Sequence, residues 1–113
     1  MTKVAIMGYG VVSSGLIELI DKNRENYRKN EIIITSILVK NKEKHIDSSH
    51  KEVITTNVEE FFSAESDVVI EVMGGLHPAY DYVKNALALK KHVVTANKDL
   101  IAAFGHELFR LAK

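Results

Sequence analysis

The stretch KVAIMGYGVVSSG, residues 3–15, decides the fold. Val4, Ala5, Ile6 and Met7 form an unbroken apolar run of strand length, the pattern of a strand covered on both faces of a parallel sheet. Gly8 and Gly10 end it. Gly8 suits a tight turn, and Gly10 omits a Cβ at a point where a phosphate-bearing ligand would approach the backbone. Beyond the glycines, Val12, Leu16, Leu19 and Ile20 recur at helical spacing and predict the apolar face of a helix. The free N–H groups at the start of that helix favour an anion.

The glycines match the dinucleotide fingerprint G-x-G-x-x-(G/A) except at the third position, which is Ser13. Serine exceeds the tolerated alanine by one hydroxyl, so the expected effect is a slightly looser contact between strand and helix. A glycine-bearing turn between a buried strand and a helix also fits the bare motif, so the remaining chain has to discriminate.

The chain has 113 residues, 46% hydrophobic and 27% charged, which suits one globular α/β domain with a real core. Lys plus Arg equals Asp plus Glu at 15 each, so no global positive field draws it to nucleic acid or an anionic membrane. With no Cys, disulfides and thiolate chemistry are excluded. The first apolar run is broken by glycines and no run approaches a span of about 20 apolar residues. A cytoplasmic location, with neither membrane nor nucleic-acid partners, is therefore expected.

In chain order, the polar segment 21–30 (DKNRENYRKN) is expected to end or fray the first helix. Residues 32–39 (IIITSILV) follow as a second strand rich in β-branched side chains. An acidic residue at the tip of this strand would bind a ribose 2′-hydroxyl, whereas a cation suits a 2′-phosphate. The residue here is Lys40, which tilts the choice toward NADP over NAD, unless Lys40 and its neighbours form only a solvated loop. Residues 41–52 show no periodicity and predict a long surface loop able to fold over a cofactor. Residues 53–56 form a weak third strand. Asn57 is a candidate N-cap for a short helix carrying Val58, Phe61 and Phe62, with Glu59 and Glu60 in its first turn.

Residues 67–73 (DVVIEVM) make a fourth strand that stops at Gly74 and Gly75, a second place where backbone would approach a ligand. Pro78 is expected in the first turn of a helix that turns Ala79, Val83, Ala86 and Leu87 inward, with Lys90 and Lys91 at its dipole-negative end. Residues 92–95 (HVVT) form the fifth strand. A final helix over 99–113 places Leu100, Phe104, Leu108 and Leu111 on one face. Strands alternating with helices imply a Rossmann-type, doubly wound parallel sheet with helices on both faces. Ligands bind beyond the carboxyl ends of such strands, which puts Gly8, Tyr9, Gly10, Val11, Val12, Lys40, Gly74, Gly75, Thr95, Asn97 and Lys98 along one rim.

Three segments, GYGVVSSG, EVMGGLHPAYDYVKNAL and KKHVVTANKDLIA, resemble the N-terminal nucleotide-binding domain of homoserine dehydrogenase nearly end to end. Ser13 departs from the glycine usual there. The resemblance implies NAD(P)-dependent interconversion of L-homoserine and L-aspartate 4-semialdehyde, a step toward threonine, methionine and isoleucine. It also implies that the chain is a cofactor domain, residues 1–113, whose substrate domain lies C-terminal to it in a homo-oligomeric enzyme. Residues 9–12 would contact the pyrophosphate, Lys40 the adenosine side, and Gly74 and Gly75 the ribose and nicotinamide side. Lys98 matches the lysine of the family's T-A-N-K turn beside nicotinamide and substrate. Its ammonium there would stabilise developing alkoxide charge as a catalytic group. Cofactor binding without turnover is the expectation for these residues alone.

The alternative is a non-catalytic NAD(P)-sensing module, which would have no need of Lys98. The five histidines, His45, His50, His77, His92 and His106, lack ligand spacing, so no metal site is expected. His77 borders the rim but reads as part of the entry to the Pro78 helix. Tyr9 either stacks near the cofactor or is an exposed turn aromatic. Glu71 interrupts an apolar strand and, if buried, requires a partner.

Overall fold

The first apolar run forms the central strand, and the rest of the chain is laid down on either side of it. The computed structural model describes residues 2–23, 32–45 and 47–113. The strands are β1 (Thr2–Met7), β2 (Ile32–Leu38), β3 (Ile54–Thr55), β4 (Val68–Glu71) and β5 (His92–Thr95). The helices are α1 (Val11–Asn23), α2 (Val58–Ser63), α3 (Ala79–Ala88) and α4 (Lys98–Ala112). All strand pairs are parallel, in the order β3-β2-β1-β4-β5. The chain therefore winds outward from β1 to β3, then crosses back to β4 and winds the other way. The doubly wound Rossmann architecture read from the strand–helix alternation is the one observed.

Each face of the sheet has its own core. Ala5, Met7, Leu38 and Val69 pack with Phe61 of α2, with Ala79, Val83 and Ala86 of α3, and with Leu100 and Leu108 of α4. Val4, Ile6, Ile34, Ile37, Val39 and Ile54 pack against Ile17 of α1. Ile34 and Ile37 share a face despite their odd spacing because the β1–β2 register shifts between Val4 and Ala5. The extra residue in β2 reverses the alternation that a regular strand would impose.

The inward face of α1 is in part the expected one, since Leu16 and Ile20 pack against the core. Val12 and Leu19 are 62% and 58% exposed, while Ser13 and Ile17 are buried. Spacing found two of the four inward residues, and the rotation of α1 about its axis centres the buried face on Ser13 and Ile17 instead of on Val12 and Leu19. Leu111, expected inward on α4, is also exposed, as is Phe109. α1 is described as far as Asn23, within the polar segment expected to end or fray it, and the rest of that segment, 24–30, lies outside the described residues. Pro78 is the N-cap of α3 rather than part of its first turn.

The end of α3 shows why Lys90 and Lys91 follow it. Lys90 has φ +62°, its N–H donates to Leu87 O at 2.9 Å, and the Lys91 N–H donates to Ala86 O at 3.1 Å. These two bonds form a Schellman closure, with lysine where glycine is usual. Lys91 Nζ then donates to the Ser66 carbonyl and hydroxyl at 3.1 and 2.7 Å. The lysines thus end the helix by backbone geometry and side-chain anchoring, beyond a favourable charge at its terminus.

A polar clasp joins α3 to α4. Tyr80 Oη donates to Glu107 Oε1 at 2.6 Å, and Lys84 Nζ lies 3.3 Å from the same oxygen. The Tyr80 hydrogen bond is the main cause that holds the Glu107 carboxyl below its ordinary range, and the same bond raises Tyr80. Lys84 is raised chiefly by its bond to Tyr80. A lowered carboxyl contributes stability above its unfolded pKa and loses it as pH falls; the raised Tyr80 and Lys84 contribute below theirs and lose it as pH rises. Tyr80→Phe is expected to lower the melting temperature near neutral pH, with the difference from wild type shrinking as acid protonates Glu107 and as base deprotonates Tyr80. Thermal melts across pH check this.

Candidate functional site

Gly8 is where strand becomes site. Its N–H donates to Leu38 O at 2.8 Å, and Val72 N–H donates to Met7 O at 3.0 Å, so β1 is gripped from both neighbours up to its last residue. Gly8 has φ +106°, and a Cβ there would lie 3.2 Å from the Val72 carbonyl oxygen. Both constraints demand glycine. Gly10 is different. A Cβ on it would meet nothing within 4 Å, and its φ is not in the left-handed region. The fold itself does not require glycine at 10, which leaves open space directly before the first residue of α1.

That space faces a cleft of about 530 Å³ at the carboxyl ends of β1, β2 and β4, where the winding reverses. Gly8, Tyr9, Gly10 and Lys40 line it, together with Lys44 and His45. The first turn of α1 carries no acidic residue, whereas Glu59 and Glu60, Asp81 and Asp99 occupy the first turns of α2, α3 and α4. Carboxylates compensate those three helix ends, and α1 offers its N–H groups without such a competitor. Val11 and Val12 stand at that end with 92% and 62% exposure.

Residues 41–45 and 47–53 are more ordered than a plain loop. They contain two short 3-10 turns, Lys42–His45 and Lys51–Val53, and they fold back on the glycine turn. The Tyr9 ring stacks on His45 with centroids 4.6 Å apart, and the Tyr9 and Ser48 hydroxyls lie 3.0 Å apart. His50 Nε2 sits 2.9 Å from Asp21 Oδ2 on α1. Tyr9 is thus neither a free turn aromatic nor bare in the cleft; it is a strut between turn and loop. Lys44, His45 and Ser48 were illegible as site residues because only the folded chain brings a non-periodic segment against position 9.

The remaining predicted residues form a second group, beyond β4 and β5, that does not line the cleft. Gly74 and Gly75 have φ +78° and +74°, a left-handed pair that turns the chain sharply after β4. Glu71, fully buried, bridges this turn to the next one. Its Oε2 accepts the Met73 and Gly74 N–H groups at 2.9 and 3.2 Å, and its Oε1 accepts the Thr95 hydroxyl at 2.6 Å. Asn97 caps α4 by accepting the Leu100 N–H at 3.0 Å, and its amide donates to Gly75 O. Lys98 is the first residue of α4, exposed at its N-terminus. Among the described residues no group of three or more His, Asp or Glu side chains is arranged to hold a metal ion, and no helix is long and apolar enough to cross a membrane.

The parallel 3-2-1-4-5 sheet, the glycine turn at its reversal point and the helix N-terminus facing a cleft define a Rossmann-type α/β domain of the dinucleotide-binding class. Within that class, residues 8–113 match the family described as homoserine dehydrogenase, NAD binding domain, and the chain belongs to it. It is 40% identical over 116 residues to homoserine dehydrogenase of Bacillus subtilis, an alignment that covers 98% of this chain and 27% of that protein. The crystal structure of a homoserine dehydrogenase from Thiobacillus denitrificans superposes with TM-score 0.86 at 36% identity, over 98% of this chain and 27% of that one. The S. aureus homoserine dehydrogenase at pH 6.5 superposes with TM-score 0.88 at 37% identity, over 98% and 29%. The chain thus spans roughly a quarter of the length of these relatives.

Ser13, at the third fingerprint position, is fully buried and its Oγ is the one buried side-chain polar atom without a partner among the described residues. The departure from glycine or alanine therefore leaves an unpaired hydroxyl between α1 and the sheet. Ser13→Ala is expected to raise stability by about 1 kcal/mol, through loss of that desolvated group and a better helix former. In urea titrations Gly8→Ala should cost roughly 1–3 kcal/mol from backbone strain, against no more than about 1 kcal/mol for Gly10→Ala at an N-cap position.

Proposed function

We propose that the chain is the cofactor-binding part of an oxidoreductase that moves a hydride between a nicotinamide dinucleotide and a small amino-acid aldehyde or alcohol. The pair is L-aspartate 4-semialdehyde and L-homoserine, as family membership suggests. The observation that carries the reading is the space left by Gly10 before the acid-free end of α1, at the point where the sheet reverses. A pyrophosphate fits such a cradle: backbone can approach it closely, and the helix end supplies donors and positive potential.

In this reading residues 8–12 hold the pyrophosphate, with Tyr9 kept in place by His45 and Ser48. Lys40, exposed at the tip of β2 and lining the cleft, faces the adenosine ribose. A cation there, with Lys44 beside it and no acid at the strand tip, favours the 2′-phosphate of NADP over the free hydroxyl of NAD. Gly74, Gly75, Thr95 and Asn97 form the wall for the nicotinamide end. The bound dinucleotide supplies the hydride-carrying ring. Lys98, at the start of α4 beyond that wall, holds an ammonium where oxyanion charge develops on the substrate. Productive alignment also demands that the substrate be held near van der Waals contact with the ring. That task falls to the longer enzyme, and the 113-residue chain binds cofactor without turnover.

Thermal unfolding of the chain with NADPH or NADH tests this. At 100 times the dissociation constant, a ligand stabilises by about 2.7 kcal/mol, a rise on the order of 10 °C for a domain of this size. The expected result is a larger shift with NADPH than with NADH, with the difference abolished in Lys40→Asp. A cooperative melt that neither cofactor moves would overturn the assignment.

A further inference from the structure

Glu71 is the only Asp, Glu, Lys or Arg that is fully buried among the described residues. It ends β4 after Val68, Val69 and Ile70, where another apolar side chain would continue the strand and avoid desolvating a carboxyl group. Its hydrogen bonds explain its presence there. All of its side-chain partners lie at the two rim turns: Met73 and Gly74 after β4, Thr95 at the end of β5 and Asn97 just beyond it. Asn97 closes the circuit by donating to Gly75 O and by capping α4. The Thr95 hydroxyl, while donating to Glu71, accepts the Asn97 N–H at 3.0 Å. One carboxyl group thereby links the left-handed glycine pair to the N-terminus of the helix that begins with Lys98.

Resting on the cofactor reading above, we propose that Glu71 is a positioning residue for the nicotinamide end of the dinucleotide. It clamps the Gly74–Gly75 turn to the Thr95–Asn97 turn and so sets both the wall of that subsite and the placement of Lys98. The clamp lies on the β4–β5 side of the reversal point, whereas the Gly8–Gly10 turn is held by β1, β2 and Val72 backbone contacts. Val72 and Met73 touch Gly8 and line the cleft, whereas Gly74, Thr95 and Asn97 do not, so loosening Glu71 acts chiefly on the nicotinamide end of the ligand. Glu71→Gln keeps the shape but replaces one acceptor oxygen with a donor, so the backbone N–H groups and the Thr95 hydroxyl can no longer all be satisfied.

Calorimetric titration of the chain with NADPH, and with 2′-phospho-ADP, which lacks the nicotinamide riboside, separates the two ends. Glu71→Gln is expected to weaken NADPH about tenfold and 2′-phospho-ADP less than about twofold. Thr95→Val, which cuts a single link of the clamp, should weaken NADPH by about threefold with the same selectivity, and it decides the matter if Glu71→Gln fails to melt cooperatively. Equal losses for both ligands would reduce Glu71 to general structural support. Unchanged NADPH affinity in a folded variant would also overturn the proposal. A wild-type chain that bound neither ligand would instead overturn the cofactor reading itself.

Discussion

The structure depends on β1 being hydrogen-bonded on both sides to its very end. Leu38 O accepts from Gly8 on one edge and Val72 N–H donates to Met7 on the other, so the chain has no lateral freedom as it leaves the sheet. It turns out of the plane at once, at φ +106°, and a Cβ at position 8 would sit tightly, 3.2 Å, against the Val72 carbonyl oxygen. The direction of α1, the burial of Ser13 and Ile17, and the open space at Gly10 all follow from this one crowded exit.

Two kinds of glycine on the same rim illustrate the division between fold and site. Gly8 satisfies a constraint the protein imposes on itself, whereas Gly10 leaves volume that nothing in the protein occupies. The Glu71 network extends the same logic to β4 and β5. Its hydrogen bonds hold loops rather than the core, and loops at strand ends are where α/β domains place their chemistry. The apolar cores on the two faces keep the strands in register, and the polar network sets the edges they present.

Much of this was legible in the residue order. The alternation of β-branched runs with helical periods set the strand and helix succession, and Asn57 was readable as a cap from its position before Val58, as the Glu60 N–H bond to Asn57 Oδ1 bears out. On α1 periodicity was half right: of the apolar stripe, Leu16 and Ile20 pack against the core while Val12 and Leu19 face solvent. Hydrophobic spacing defines a stripe but not its absolute rotation about the helix axis; here the rotation was imposed by the Gly8 turn. On β2 the register shift placed Ile34 and Ile37 together, which strict alternation forbids.

By itself the sequence determined the class of fold, the glycine turn after the first strand, and the residues that would share a rim, because these depend on local pattern and on the general rule that parallel strands end on one side. Only the tertiary structure decided which partners those residues meet. Tyr9 against Ser48, Glu71 against Thr95, and Asn97 reaching back to Gly75 are contacts across 39, 24 and 22 positions of chain. Such pairs arise where crossovers bring the ends of neighbouring parallel strands together, and no local spacing encodes the distance that a crossover closes.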